Sequence, residues 1–228
     1  MNQLYKIGII VAVLLLILLG LNKFTNNNDS SENLPTFEIP EEASIEENDL
    51  QDKEINATNM EENTTVVMKT NKGDITIELF TKDMPVTAGN FLKLANEDYY
   101  DGIKFHRVIN NFMIQGGDPN SKDDSKMAAW GTGGPGYAIE DEFVEGFSNA
   151  RGTLSMANSG PNTGGSQFFI NLVDNTFLDW DKEPLTSKHP VFGRVVEGMD
   201  VVDAIAGVET GPKDVPVEPV TIEDIEVK

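Results

Sequence analysis

The stretch FHRVINNFMIQGGD, residues 105–118, decides how this chain is read. Phe105, Val108, Ile109, Phe112, Met113 and Ile114 are side chains of the kind that folding buries. The segment reads as two short strands of a sandwich or barrel. Arg107 sits inside the first run and Gln115 inside the second. A guanidinium and an amide within strands need either a partner or a task. Taken alone, Arg107 is as readily a surface ion pair as a functional group, and His106 beside it reads as a core histidine.

The 228 residues suffice for one sizeable domain with something attached. The net charge of −21 is acidic throughout: residues 1–64 carry 3 basic and 12 acidic side chains, residues 65–228 carry 14 and 26. Phosphate neutralisation needs clustered Lys and Arg, so nucleic acid is not an expected partner. There are no cysteines, which excludes disulfides, thiolate metal sites, a Cys nucleophile and a lipoprotein anchor.

The run IGIIVAVLLLILLGL, residues 7–21, is uncharged and apolar over 15 residues. As a helix it spans about 22 Å, and flanking Leu4, Tyr5, Lys6 and Lys23 bring it near membrane-spanning length. No small-x-small cleavage site follows it in LNKFTNNNDSS. Residues 1–24 are therefore expected to be an uncleaved signal anchor, a transmembrane helix with its N-terminus inside. The alternative is a cleaved signal peptide and a secreted product. Residues 25–64, acidic and Asn-rich, read as a disordered linker. The N-x-S/T matches at Asn28, Asn56 and Asn63 read as chance in that tract. Residues 65–228 form the expected folded domain, placed outside the cytoplasmic membrane.

Within that domain, TVVMKTNKGDITIELF reads as two strands around a hairpin at 71–74. A helix starts near Pro85, with Val86, Phe91, Leu92 and Ala95 at helical spacing. Strand-like pieces follow near 104–109, 112–116, 153–157, 167–172 and 191–197. A short helix near 199–206 and a strand near 219–227 close the chain. The expected fold class is mainly β, a barrel or sandwich with flanking helices.

Residues 131–136, GTGGPG, match G-x-G-x-x-G but lack a strand before and a helix after, so they read as a mobile surface loop. Two histidines, His106 and His189, without an i,i+4 pair, give no metal signature, and no G-x-S-x-G elbow occurs. A Ser-His-Asp set assembled by the fold stays open. A second informative segment is SMANSGPNTGGSQFFIN, residues 155–171. Its ends are strand-like and its middle, 158–166, is a small polar loop. Gln167 stands beside Phe168 and Phe169 as Gln115 stands beside Met113. Two strand regions supplying apolar rings and neutral amides describe a groove for a peptide backbone. One arginine with no base or nucleophile suggests chemistry without proton transfer or bond cleavage.

FHRVINNFMIQGGD and SMANSGPNTGGSQFFI, with KHPVFGRVVEGMDVV behind them, closely resemble the cyclophilin family of peptidyl-prolyl cis/trans isomerases across about 65–228. The resemblance implies a closed eight-stranded antiparallel β-barrel capped by two α-helices, with the site on its outer face. It implies an isomerase acting on X-Pro bonds of proline-containing polypeptide clients, as a monomer and without cofactor or metal. It makes Arg107 the catalytic arginine. It makes Phe112, Met113 and Phe169 the proline pocket, with Leu178 at its rim and His189 at its edge. Gln115, Ala157, Asn158 and Gln167 become the contacts to the client backbone. Two departures stand out. Phe177 replaces the Trp that many members carry, which bears on cyclosporin sensitivity. WDKEPLTS, residues 180–187, is inserted before Lys188 and His189, and its Trp180 is a candidate replacement for the missing ring. The rival function is a binding module that holds proline segments with little turnover.

Overall fold

The computed structural model describes residues 62–183 and 188–228. The expected membrane segment, 7–21, the linker up to residue 61, and 184–187 of the insertion lie outside the described residues. Among the described residues no helix is long and apolar enough to cross a membrane.

Strict alternation makes the first hairpin. β1 (Thr64–Thr70) buries Val66 and Met68, and β2 (Gly73–Leu79) buries Ile75, Ile77 and Leu79, so one face of each strand turns inward. Gly73, the first residue of β2 after the turn, has φ 130°, and a Cβ there would come within 2.9 Å of Val201. Only glycine fits that position. The chain continues through helix α1 (Thr87–Asn96), β3 (Arg107–Ile109), β4 (Met113–Gly116), β5 (Thr153–Met156), β6 (Phe168–Asn171), β7 (Val191–Glu197), helix α2 (Met199–Ala206) and β8 (Ile222–Val227). These strands form one curled eight-stranded sheet, in the order β3-β4-β6-β5-β7-β2-β1-β8, and every strand pairing is antiparallel.

The expected strand at 104–109 divides in two. Only 107–109 pair with β4, while the residues before them turn to β8. Lys104 bridges Thr221, Phe105 N–H donates to the Val220 carbonyl (2.9 Å), and Gly102 N–H donates to the Ile222 carbonyl (2.8 Å). These bonds join the two ends of the sheet order, which satisfies backbone groups that an open edge would leave to solvent.

Inside the curl, Phe91 of α1 stacks on Tyr100 at 4.8 Å and meets Phe168 edge-on at 5.4 Å. The N-terminus of α1 has no side-chain cap of its own. Glu142, distant in sequence, accepts from the N–H groups of Val86 (3.3 Å) and Thr87 (3.0 Å) and places a carboxylate on the positive end of the helix.

Candidate active site

The alternation that fills the interior also builds a second face. In β3, Val108 points inward, so Arg107 and Ile109 point out. In β4, Ile114 is interior, so Met113 and Gln115 are outward. In β6, Phe168 and Ile170 are interior, so Phe169 is outward. Register then aligns the outward set. Arg107 lies opposite Gln115, and Gln115 lies opposite Phe169. A guanidinium, an amide and an aromatic ring form a row across three neighbouring strands.

Met113, Phe169 and Leu178 make an apolar cluster separate from the interior, flanked by Ile109, Phe112 and Ala157. Beside it, Arg107 Nη1 donates to Gln115 Oε1 (3.4 Å), Gln115 Nε2 donates to Gln167 Oε1 (3.1 Å), and Gln167 Nε2 donates to the Gly133 carbonyl (2.8 Å). Gln115, Ala157, Asn158 and Gln167 line a recess of about 370 Å³. Asn158 Nδ2 donates to the Lys188 carbonyl (2.8 Å), tying that loop to the segment that carries His189. The His189 ring meets Phe169 edge-on at 5.3 Å, and its Nδ1 donates to the Met156 carbonyl (2.9 Å). That bond fixes the neutral tautomer with Nε2 bare, and burial pushes the His189 pKa below its usual 6.5. The fold brings all ten expected site residues to this one face, His189 among them.

Buried polar groups hold the pocket rim. Asp179, 2% exposed, accepts from Ser148 Oγ (2.6 Å), Asn149 N–H (2.7 Å) and Asn149 Nδ2 (2.9 Å). Asn175 Nδ2 donates to the Phe112 carbonyl (2.9 Å). The short 3-10 turn Thr176–Leu178 is thus fastened at both ends, which seats Leu178 against Met113 and Phe169.

One expectation is corrected. Trp180 does not replace the missing indole: it stacks on Phe143 at 5.8 Å, while the half-exposed Phe177 stacks on Phe112 at 6.2 Å. The ring at position 177 therefore stands beside Phe112, at the flank of the apolar cluster. The glycine loop lies at the surface, as expected, and side-chain contacts tie it to the recess. The N–H groups of Gly131 and Gly133 donate to the buried Asp118 carboxylate, and 131–135 wall the recess. Those amides are thereby occupied by a side chain of the protein, which explains the motif without a phosphate. The signal that could have found this wall is Asp118 itself, a carboxylate directly after two glycines at the end of β4.

His106 faces the other way from Arg107. It is 4% exposed, and neither ring nitrogen has a hydrogen-bond partner. The backbone of Lys104 favours the protonated ring. Burial dominates and holds the His106 pKa below 6.5, against the opposing pull of Asp118. No cluster of His, Cys, Asp or Glu among the described residues could hold a metal.

Residues 65–227 match the family described as cyclophilin-type peptidyl-prolyl cis-trans isomerase/CLD. The chain belongs to this family. A peptidyl-prolyl cis-trans isomerase of Staphylococcus aureus strain USA300 is 44% identical over 187 residues, covering 72% of this chain and 91% of that one. A protein of Streptococcus pyogenes serotype M6, named as a bifunctional phosphatase/peptidyl-prolyl cis-trans isomerase, is 45% identical over 211 residues. That match covers 80% of this chain and 43% of the longer relative. A crystal structure of a Cryptosporidium parvum cyclophilin-type isomerase superimposes with TM-score 0.63 at 32% identity, covering 73% of this chain and 98% of that one. A second crystal structure of that protein, in the presence of the dipeptide Ala-Pro, gives 0.62. This cyclophilin is a peptidyl-prolyl cis-trans isomerase by family, and its fold is mainly β with few helices.

Proposed function

We propose that Arg107 is the catalytic group and that the outward row is the client site. The barrier to X-Pro rotation, roughly 18–20 kcal/mol, comes from amide resonance that is lost when ω twists. At the twisted state the prolyl nitrogen regains a lone pair. A donor aimed at that nitrogen stabilises the transition state more than either planar state. Arg107 supplies it: always charged, with a rigid fork of N–H groups, and still 42% exposed in its side chain. The Met113, Phe169 and Leu178 cluster holds the proline ring, while Gln115, Gln167, Ala157 and Asn158 hold the client backbone. Rotation is then confined to one side of the bond.

The alignment of Arg107, Gln115 and Phe169 across three strands carries this reading. Arg107→Ala should lower kcat/KM on an Ala-Pro peptide by about 10²–10³, the range for removing one preorganised transition-state donor, with the fold retained by circular dichroism. Unchanged turnover would remove Arg107 from the mechanism. NMR exchange on the same peptide separates turnover from mere holding, because binding alone does not speed cis/trans exchange.

We further propose that the isomerase works on clients outside the cytoplasmic membrane. Residues 7–21 would be the anchor and 25–64 an acidic tether, which as a flexible chain of about 40 residues has a reach of roughly 35 Å. The apolar run and the missing cleavage site support this. Protease accessibility of the domain on intact cells and the mass of the mature N-terminus test it.

A further inference from the structure

Beyond Arg107, away from the proline cluster, the chain builds a feature that isomerisation of a bare X-Pro unit does not need. The loop 209–217 folds back on itself. Val217 N–H donates to the Glu209 carbonyl (2.9 Å) and Gly211 N–H to the Val215 carbonyl (2.8 Å), and Thr210 bridges Pro216. At its tip Lys213 and Asp214 are consecutive non-glycine residues with φ 63° and 60°. Such strain persists only where the surroundings enforce it. Pro212 and Pro216 stiffen the loop on either side.

The tip has two faces. Asp214 turns to Arg107, its Oδ2 lying 3.7 Å from Nε. Its neighbours Lys213 and Val215 turn to an apolar hollow of about 480 Å³, walled by Pro212, Pro216 and Val217 and, opposite, by Met127 and Ala128. Met127 and Val217 are 48% and 59% exposed, so large apolar side chains face solvent here. Both walls run into the site. Asp214 touches Arg107, and Met127 and Ala128 lead within a few residues to Gly131, which lines the recess beside Gln115.

The geometry points to a subsite: the hollow takes an apolar side chain of the same client whose X-Pro bond lies against Arg107. A second copy of the chain is a poor occupant, because each copy carries a net charge of −21. The volume lies within the roughly 300–1,000 Å³ of ligand pockets, ample for a leucine or phenylalanine side chain. Asp214, 3.7 Å from Arg107 Nε, is flanked by the wall residues Lys213 and Val215, so a client needs only two or three extended residues, at about 3.3 Å each, to pass from the isomerising bond to the hollow. Its rigid walls lower the ordering cost of binding. The client class is therefore a proline segment carrying a large apolar residue two or three positions from the isomerising bond. This rests on the active-site reading of Arg107 above.

The test uses the full chain and three kinds of peptide. One is a short Ala-Pro peptide. The others extend it with leucine, or with serine, two or three positions away on either side. In exchange NMR, leucine at a spacing that reaches the hollow should raise kcat/KM about five- to tenfold over serine, through a lower KM. The Met127→Ser, Val217→Ser double variant, both positions exposed, should abolish that gain and leave the short peptide unchanged. A flat leucine scan, or a gain that survives the double variant, overturns the subsite. So does a dimer in sedimentation that the double variant disperses, since the hollow would then be a contact between copies. If the wild type fails to turn over the short peptide, the active-site reading fails instead.

Discussion

Phe168 and Phe169 are adjacent in β6, of one residue type, and nearly equally hidden, at 0% and 5% exposure. They do opposite work because the pleat sends them to opposite faces. Phe168 meets Phe91, Tyr100 and Phe105 inside the curl, where closed packing surrounds it. Phe169 joins Met113 and Leu178 outside, with the His189 edge against it. The inner cluster is sealed by both helices and the closing seam. The outer one is covered only by short turns and by whatever binds it. Two apolar clusters back to back across one sheet separate the residues that hold the fold from those that hold a client.

The contrast can be broken by truncating each ring. Phe168→Ala leaves an internal cavity and should cost about 3–5 kcal/mol of unfolding free energy in urea titrations. Catalysis by the fraction still folded should stay close to wild type. Phe169→Ala opens a dent that water can fill, so its stability cost should be smaller, about 1–2 kcal/mol. Its kcat/KM on an Ala-Pro peptide should fall about thirtyfold, as for an anchor residue worth about 2 kcal/mol. If the stability costs were equal, or if Phe168→Ala impaired catalysis as strongly as Phe169→Ala, the two faces would not be separable.

The same alternation explains what could be read in the sequence. Arg107 and Gln115 interrupt apolar strands, and that interruption marks the outward row in the sequence itself. The strand at 104–109 was legible as β-type but not as divided. Its break depends on β8, more than a hundred residues away, reaching Lys104 through Thr221. Residues 131–136 read only as a surface loop because local pattern shows the glycines and not Asp118, whose carboxylate gathers their amides from outside the loop. Trp180 was misassigned for a similar reason, since its stacking partner Phe143 is distant in sequence. The hollow at 211–217 gave no sequence signal at all, because its opposite wall comes from the 3-10 helix Asp124–Ala129.

The histidines give the smallest test of the two-faced sheet, one on each side of it. His106 is enclosed with no partner, and His189 lies against Phe169 with Nδ1 bonded to Met156. Burial lowers both pKa values below 6.5, so the folded state prefers both rings neutral. Their contribution is fully present above pH 6.5. As pH falls below that value, the unfolded chain takes up protons that the folded chain refuses. Stability is then lost at up to about 1.4 kcal/mol per pH unit for each histidine, until its folded pKa is passed. Carboxylates act lower: Lys228 and Lys69 hold Glu226 at about 2, so its share is present above 4.5 and is lost as pH falls from 4.5 to about 2. Urea midpoints measured from pH 7 to pH 5 should therefore decline, and His106→Asn should flatten the decline. A client peptide at saturation covers His189 further at the pocket, so it should extend the decline due to His189 to lower pH and leave the share due to His106 unchanged. An equal effect on both would mean that the inner and outer faces are coupled through β3 and β4.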